Sequence, residues 1–118
     1  MRARGEAWEA RALQELQRAG LVLLARNWQC RYGEIDLVMR EGDTLVFVEV
    51  RFREAGASGG ALASVGPAKR AKLGRAAQLY LAQSPAAASG TCRFDVVAFD
   101  GCADGVRCDW QRGAFEAC

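Results

Sequence analysis

The stretch "GEIDLVMREGDTLVFVEVRFR", Gly33 to Arg53, alternates apolar and polar residues on both sides of a short polar break. Such period-two alternation marks half-buried strands, and Gly-Asp between two alternating runs marks a tight hairpin turn. The stretch therefore predicts two antiparallel strands, Glu34 to Arg40 and Thr44 to Arg53, joined at Gly42-Asp43. A two-residue turn places Asp36 across from Glu49 and Glu34 across from Arg51. A three-residue turn would shift the register by one and separate the acidic pair. One face then holds Glu34, Asp36, Val38 and Arg40 with Leu45, Phe47, Glu49 and Arg51. The other holds Ile35, Leu37, Met39, Val46, Val48, Val50 and Phe52, is wholly apolar, and is predicted core.

The carboxylates thus gather at one end of one face. Acids disfavour strands, two carboxylates opposed on a ladder repel, and charge is costly to bury. A cation removes the penalty. It is either a basic side chain, which makes Asp36 and Glu49 a structural salt bridge with Arg51 or Arg53, or a hard divalent ion such as Mg²⁺ or Mn²⁺. Such an ion activates water and neutralises charge on a phosphoryl group. Arg51, two residues past Glu49 on the same face, suits the stabilisation of that charge.

Outward from the hairpin, Trp8, Ala12, Leu16 and Ala19 form one stripe of a helix over Gly5 to Ala19, with Gly20 at its C-terminal cap. "LVLLARNWQC", Leu21 to Cys30, reads as a largely buried strand. After the hairpin, positions 54–66 are small and Gly-rich, and a mobile loop is expected there, of a length often tied to function. Pro67 suits the first turn of a second helix, with Ser64 as a cap just before it and Leu73, Ala76, Ala77 and Tyr80 as the buried stripe to about Ala82. "RFDVVAFD", Arg93 to Asp100, is a further strand, and a last one spans Val106 to Trp110 before a short end piece, "GAFEA". The order α-β-β-β-α-β-β, with one crossover helix, predicts an α/β fold: a mixed sheet flanked by helices in a single domain over 1–118.

Composition narrows the chemistry. The 118 residues include no histidine, so Ser-His-Asp and Cys-His nucleophiles are excluded. The five cysteines are scattered without a CxxC pair, which argues against zinc and for reduced thiols. Catalysis, if any, rests on carboxylates, cations or a carboxylate-bound metal. No apolar run is long enough for a membrane span and no secretory leader is evident, so a cytoplasmic protein is expected. The net charge of +2 says little about partners. Lys69 and Lys72, the only lysines, lie three apart on one helix face and suit phosphate contact, as do Arg51 and Arg53 on one strand face; a solvated polar face is the plainer reading of the lysines. Trp8, Trp28 and Trp110 read as core, so no aromatic platform for bases stands out, and Asp95 reads as a structural partner near Arg93.

Asp36 with Glu49-Val50-Arg51 resembles the PD-(D/E)XK nuclease motif. The wider set "GEAWEARALQELQRAGLVLLARNW", "GEIDLV", "FVEVR", "KRAKL", "CRFDVVAF" and "DWQRGAFEA" resembles the YraN family across nearly the whole chain. That likeness implies a restriction-endonuclease-like, Holliday-junction-resolvase-like fold. It implies Asp36, Glu49 and the Val50 backbone carbonyl as ligands of Mg or Mn, and Glu9 on the first helix as an additional acid, with Glu6 the weaker candidate; by its place one position past Trp8, Glu9 reads more plainly as a solvated helix residue. It also implies structured or branched DNA as substrate and a homodimer as the working unit. The loop at 54–66 would then fold over DNA or exchange between subunits. Arg51 stands where the superfamily usually has lysine; arginine stays protonated and is a poor general base. A catalytically degenerate, nucleic-acid-binding accessory protein is therefore the rival to an active nuclease. A scaffold that binds another protein through its sheet edge is a third reading.

Overall fold

The computed structural model describes residues 3–53, 65–84, 90–102 and 105–116. Their elements are α1 (Ala3–Arg18), β1 (Val22–Cys30), β2 (Gly33–Glu41), β3 (Thr44–Arg53), α2 (Pro67–Gln83), β4 (Cys92–Cys102) and β5 (Gly105–Phe115). The element order is the expected one. The five strands form one mixed sheet in the spatial order β1-β2-β3-β4-β5. All neighbours are antiparallel except β3 and β4, which are parallel and joined through α2.

The hairpin turns where its sequence predicts. Glu41 pairs with Thr44, and the ladder runs in the expected register to Leu37 opposite Val48. Gly42 takes φ 60° at the first central position, a backbone that glycine adopts without strain. Leu37, Met39, Val46 and Val48 enter a cluster with Ala12 and Leu16 of α1, while Val38, Leu45 and Phe47 enter a second with Leu73, Ala76 and Ala77 of α2. Both faces of the central strands are therefore core, and the expectation of one apolar face is only half of the pattern.

Three expectations need correction. Ile35 lies in the α2 cluster with Val38, not on the Leu37 face, so the alternation of β2 slips at Asp36. β1 is an edge strand whose residues alternate between exposed and half-buried, because the helices cover the middle of the sheet. Ala19 is exposed, one residue past the helix end. There the Gly20 N–H reaches Gln17 O at 3.0 Å and the Leu21 N–H reaches Leu16 O at 3.0 Å, with Gly20 at φ 102°. That pair of bonds is a Schellman cap, which satisfies the last carbonyls of α1.

α2 starts at Pro67 with Gly66 in the N-cap position; Ser64, the expected cap, and the rest of 54–64 lie outside the described residues. β5 is one continuous strand to Phe115, longer than expected, with a register shift opposite Phe94 and Val96. Trp8, Trp28 and Trp110 are each partly buried against one of the two clusters. Among the described residues no helix is long and apolar enough to cross a membrane, and Cys30 and Cys108 are free thiols.

Candidate acidic site

The slip in β2 has a partner in β1. Asn27 takes φ 50°, the one positive φ among the described non-glycine residues. Asparagine tolerates this left-handed region better than most side chains. The ladder pairs Arg26 with Leu37 and Trp28 with Ile35 on either side of Asn27 and Asp36. At this kink the Asn27 side-chain amide donates to Glu9 Oε1 at 2.8 Å and to Glu34 Oε2 at 2.9 Å. One amide group thus holds an acid from α1 and an acid from β2 together. Glu34 also accepts from Gln29 Nε2 at 3.2 Å, and its ladder partner is Gln29 of β1, where the hairpin reading placed Arg51 opposite it.

Glu9 reaches this point because α1 is pinned beside it. The Trp8 ring stacks on Phe52 at 4.6 Å and tilts against Phe99 at 5.0 Å, and Ala12 and Leu16 are fully buried. Glu9 itself is only 6% exposed, so the solvated-helix reading does not hold.

Asp36 sits between two groups of acids. Glu9, Glu34 and Asp36 each offer one oxygen within 4.8 Å of the other two. From β3, the Val50 N–H donates to Asp36 Oδ2 at 2.8 Å. The β2–β3 ladder stops one pair short of Asp36 and Glu49, and the Asp36 carboxylate takes up the amide that lies beyond it. Burial pushes the Asp36 carboxyl up to about 8; the charge of Glu49 adds most after burial, Glu9 and Glu34 add less, and the Val50 N–H opposes them.

Glu49 is 4% exposed. Its Oε2 faces Arg51 Nη1 at 3.2 Å and Lys69 Nζ of α2 at 3.7 Å. Burial still raises its carboxyl above the ordinary range, against the pull of Lys69 and Arg51. Its other oxygen, Oε1, is buried and has no hydrogen-bond partner among the described residues. A buried carboxylate oxygen left without a donor is costly.

Three acids from α1 and β2 thus converge, and the donor set is all hard oxygen; Glu49 of β3 lies outside that group and acts on Asp36 through its charge. Oxygens that share one Mg²⁺ at about 2.1 Å lie no more than about 4.2 Å apart. The Glu9, Glu34 and Asp36 oxygens need only small side-chain adjustments to meet that, and Glu49 Oε1 is an additional acceptor in need of a partner. The residues present fit a small divalent cation. Val50 enters through its N–H, whereas the resemblance assigns its carbonyl.

The other expected residues separate by role. Lys69 joins the site through Glu49. Arg53 does not: its guanidinium is bidentate to Asp100 of β4, at 2.7 and 2.8 Å, with 12% of its side chain exposed. Lys72 lies on the exposed side of α2 and lines a cleft with Lys69 and Glu34. Asp95 is wholly buried and lies among Arg93, the Trp110 indole N–H and the Gly113 N–H, a structural network rather than a second acidic site. Asn27 was missed by sequence reasoning. Its only signal is an asparagine inside an otherwise plausible strand, a residue depleted there.

A family model described as "Uncharacterised protein family UPF0102" matches residues 8–99, which include every acid of the site. A UPF0102 protein of Pseudomonas fluorescens is 52% identical over 114 residues, covering 96% of this chain and 93% of its own length. UPF0102 proteins of Ectopseudomonas mendocina and Stutzerimonas stutzeri are each 53% identical over 113 residues, covering 96% of this chain and 94% of theirs.

Proposed function

The chain belongs to the UPF0102 (YraN) family, and from its acidic site we propose a divalent-metal-dependent, nuclease-like protein that acts on structured or branched DNA. The observation that carries this reading is Glu49 Oε1, a buried oxygen without a donor among the described residues, near an Asp36 carboxyl that burial and the neighbouring acids drive up to about 8. Stability alone gives no reason to assemble three acids at a kink in two strands with a fourth nearby, whereas a cation does. We assign the fold to the restriction-endonuclease-like group on the order of its elements and on the position of Asp36 and Glu49 at a mixed sheet.

Asp36, Glu49 and Glu9 would hold Mg²⁺ or Mn²⁺, with Glu34 close enough to join them and the Val50 carbonyl as a further ligand. When bound, the metal supplies water activation and charge neutralisation at a phosphodiester. The chain's own groups do the rest. The Val50 N–H orients Asp36, and Asn27 orients Glu9 and Glu34. Arg51 and Lys69, both partly exposed beside Glu49, face negative charge building on a phosphate. An arginine side chain suits the stabilisation of charge and not the acceptance of a proton, which fixes the role of Arg51.

One observation favours the accessory reading. Arg51 and Lys69 already neutralise one oxygen of Glu49 without a metal. Incubating the purified protein with four-way junctions, flaps and single strands in Mg²⁺ or Mn²⁺ decides between the two. Cleavage lost in Asp36→Ala and Glu49→Ala supports the nuclease; salt-sensitive binding without cleavage under either metal supports the accessory. A two-fold junction calls for a homodimer, which sedimentation with and without DNA would report.

A further inference from the structure

A cleft of about 160 Å³ opens beside the acids, between Tyr32, Gly33 and Glu34 on one side and Lys69, Lys72 and Leu73 of α2 on the other. It shares two residues with the acidic site. Glu34 shares the Asn27 amide with Glu9, and Lys69 pairs with Glu49. Whatever occupies the cleft therefore lies directly beside any phosphate held at Asp36 and Glu49.

Tyr32 is placed there by the turn between β1 and β2. Cys30 pairs with Gly33, leaving Arg31 and Tyr32 as a two-residue tip, and Gly33 takes φ 128°, a backbone that side-chain-bearing residues rarely adopt. The turn sets the Tyr32 ring partly against the α2 cluster and partly along the cleft. Two exposed guanidinium groups lie over the ring, Arg31 at 5.1 Å and Arg75 at 5.8 Å. The cleft thus combines an aromatic ring and two ammonium groups, with two exposed guanidinium groups over the ring. This is the chemistry that takes a base on its flat face and its flanking phosphates on their charge.

The size of the cleft selects the form of the nucleic acid. Sites that enclose a whole small molecule run to roughly 300–1,000 Å³, so this one takes a single ring. A base inside a duplex has both faces stacked on its neighbours and cannot offer one. Given a phosphodiester at the acids, as proposed above, we infer that the cleft binds one unpaired nucleotide of the cleaved strand, stacked on Tyr32 with its phosphates on Lys69 and Lys72. The substrate class narrows to DNA with a single-stranded flap or an open junction next to the scissile phosphate. The incoming base displaces one guanidinium from the ring, which is then free to meet the adjoining phosphate.

The test is equilibrium binding by fluorescence anisotropy in EDTA, so that cleavage plays no part. The probes are a flapped duplex, a single strand and a blunt duplex, with 2-aminopurine at the unpaired position beside the junction. Tyr32→Leu keeps an apolar side chain in the half-buried site and removes the ring; Tyr32→Phe keeps the ring. Stacking on one aromatic predicts that Tyr32→Leu weakens flap and single-strand binding about tenfold. The blunt duplex should be nearly unchanged, Tyr32→Phe should bind as the wild type does, and 2-aminopurine should be quenched with Tyr or Phe but not Leu. Lys72→Ala, at an exposed position, should weaken the flap severalfold and flatten its salt dependence. Equal binding of flap and blunt duplex, or quenching that survives Tyr32→Leu, overturns the inference and leaves the nuclease reading standing. Failure to bind any of the three probes overturns the inference, and the nuclease reading is judged separately by the cleavage assay in Mg²⁺ or Mn²⁺.

Discussion

The backbone amide of Val50 donates a 2.8 Å hydrogen bond to the side chain of Asp36, on the neighbouring strand. Residue 50 thereby orients the acid across from it while residue 49 brings a second acid beside it. A short run of β3 both creates the repulsion and holds one of the repelling groups in place. The pKa of Asp36 records the balance: one amide does not offset burial and three nearby carboxylates.

Asp36 makes stability pH-dependent in an uncommon direction. Its carboxyl lies at about 8 in the fold, above the ordinary aspartate value of 3.8, so the folded state binds more protons than the unfolded state between those limits. Stability from this group is fully present below pH 4 and is lost as pH rises through 8. Asp36→Asn keeps an acceptor for the Val50 N–H and removes the charge. It should be more stable than the wild type at pH 8, on the order of 2 kcal/mol, and nearly equal to it near pH 4. Thermal melts of both proteins across that range check this. A wild type that gains stability relative to Asp36→Asn as pH rises would contradict the raised value.

Divalent cation should reverse that loss. Mg²⁺ or Mn²⁺ should raise the wild-type melting temperature more at pH 8 than at pH 6, because at the lower pH it must displace a proton from Asp36. Asp36→Asn and Glu49→Gln should each lose most of the shift. Calorimetric titration in buffers of different ionisation enthalpy would read the released proton directly.

Asn27 should matter to the site more than its place in an edge strand suggests. Asn27→Gly keeps the backbone free to take φ 50° but removes both amide hydrogen bonds to the acids. Stability should fall by about 1–3 kcal/mol, as expected for buried acceptors losing a donor. Affinity for Mn²⁺ should fall with it, since Glu9 and Glu34 are no longer held together. Asn27→Ala should cost more, because it adds backbone strain.

Three substitutions separate scaffold from site. Asp95→Ala strips a buried carboxylate from Arg93, Trp110 and Gly113 and should cost roughly 3–5 kcal/mol. Arg53→Ala leaves Asp100 without its bidentate partner and should cost about 1.5–3 kcal/mol. Neither should change metal affinity measured on the folded protein. Lys69→Ala should leave the melting temperature nearly unchanged while lowering the slope of DNA affinity against salt by about one.

The hairpin, its turn and its register were legible because Val, Leu and Phe alternate with polar residues over Gly33 to Arg53 and a two-residue turn allows one pairing. That register predicts Asp36 opposite Glu49, but the ladder ends at Leu37 and Val48, and the acids that Asp36 meets within 4.8 Å are Glu9 and Glu34. The face of Ile35 did not follow from the register, because a left-handed residue in the adjacent strand displaces the alternation and leaves no mark in β2 itself. Arg53 looked free for phosphate because its partner, Asp100, comes from a parallel neighbour whose register is set by α2 and a long connection. Glu9 looked solvated because it is one step from Trp8 on the helix; only the angle at which α1 docks turns that step inward.

The docking of α1 has a consequence for when the protein becomes competent. The hairpin alone supplies Asp36, Glu34 and Glu49, all within a few residues of one local turn. Glu9 arrives only with the helix, and the helix is seated by Trp8 on Phe52 and on Phe99, a residue that enters the sheet after the crossover through α2. The complete ring of acids therefore exists only once sequence-distant parts of the chain have met. A nascent or partly unfolded chain carries the hairpin but not the finished acidic centre.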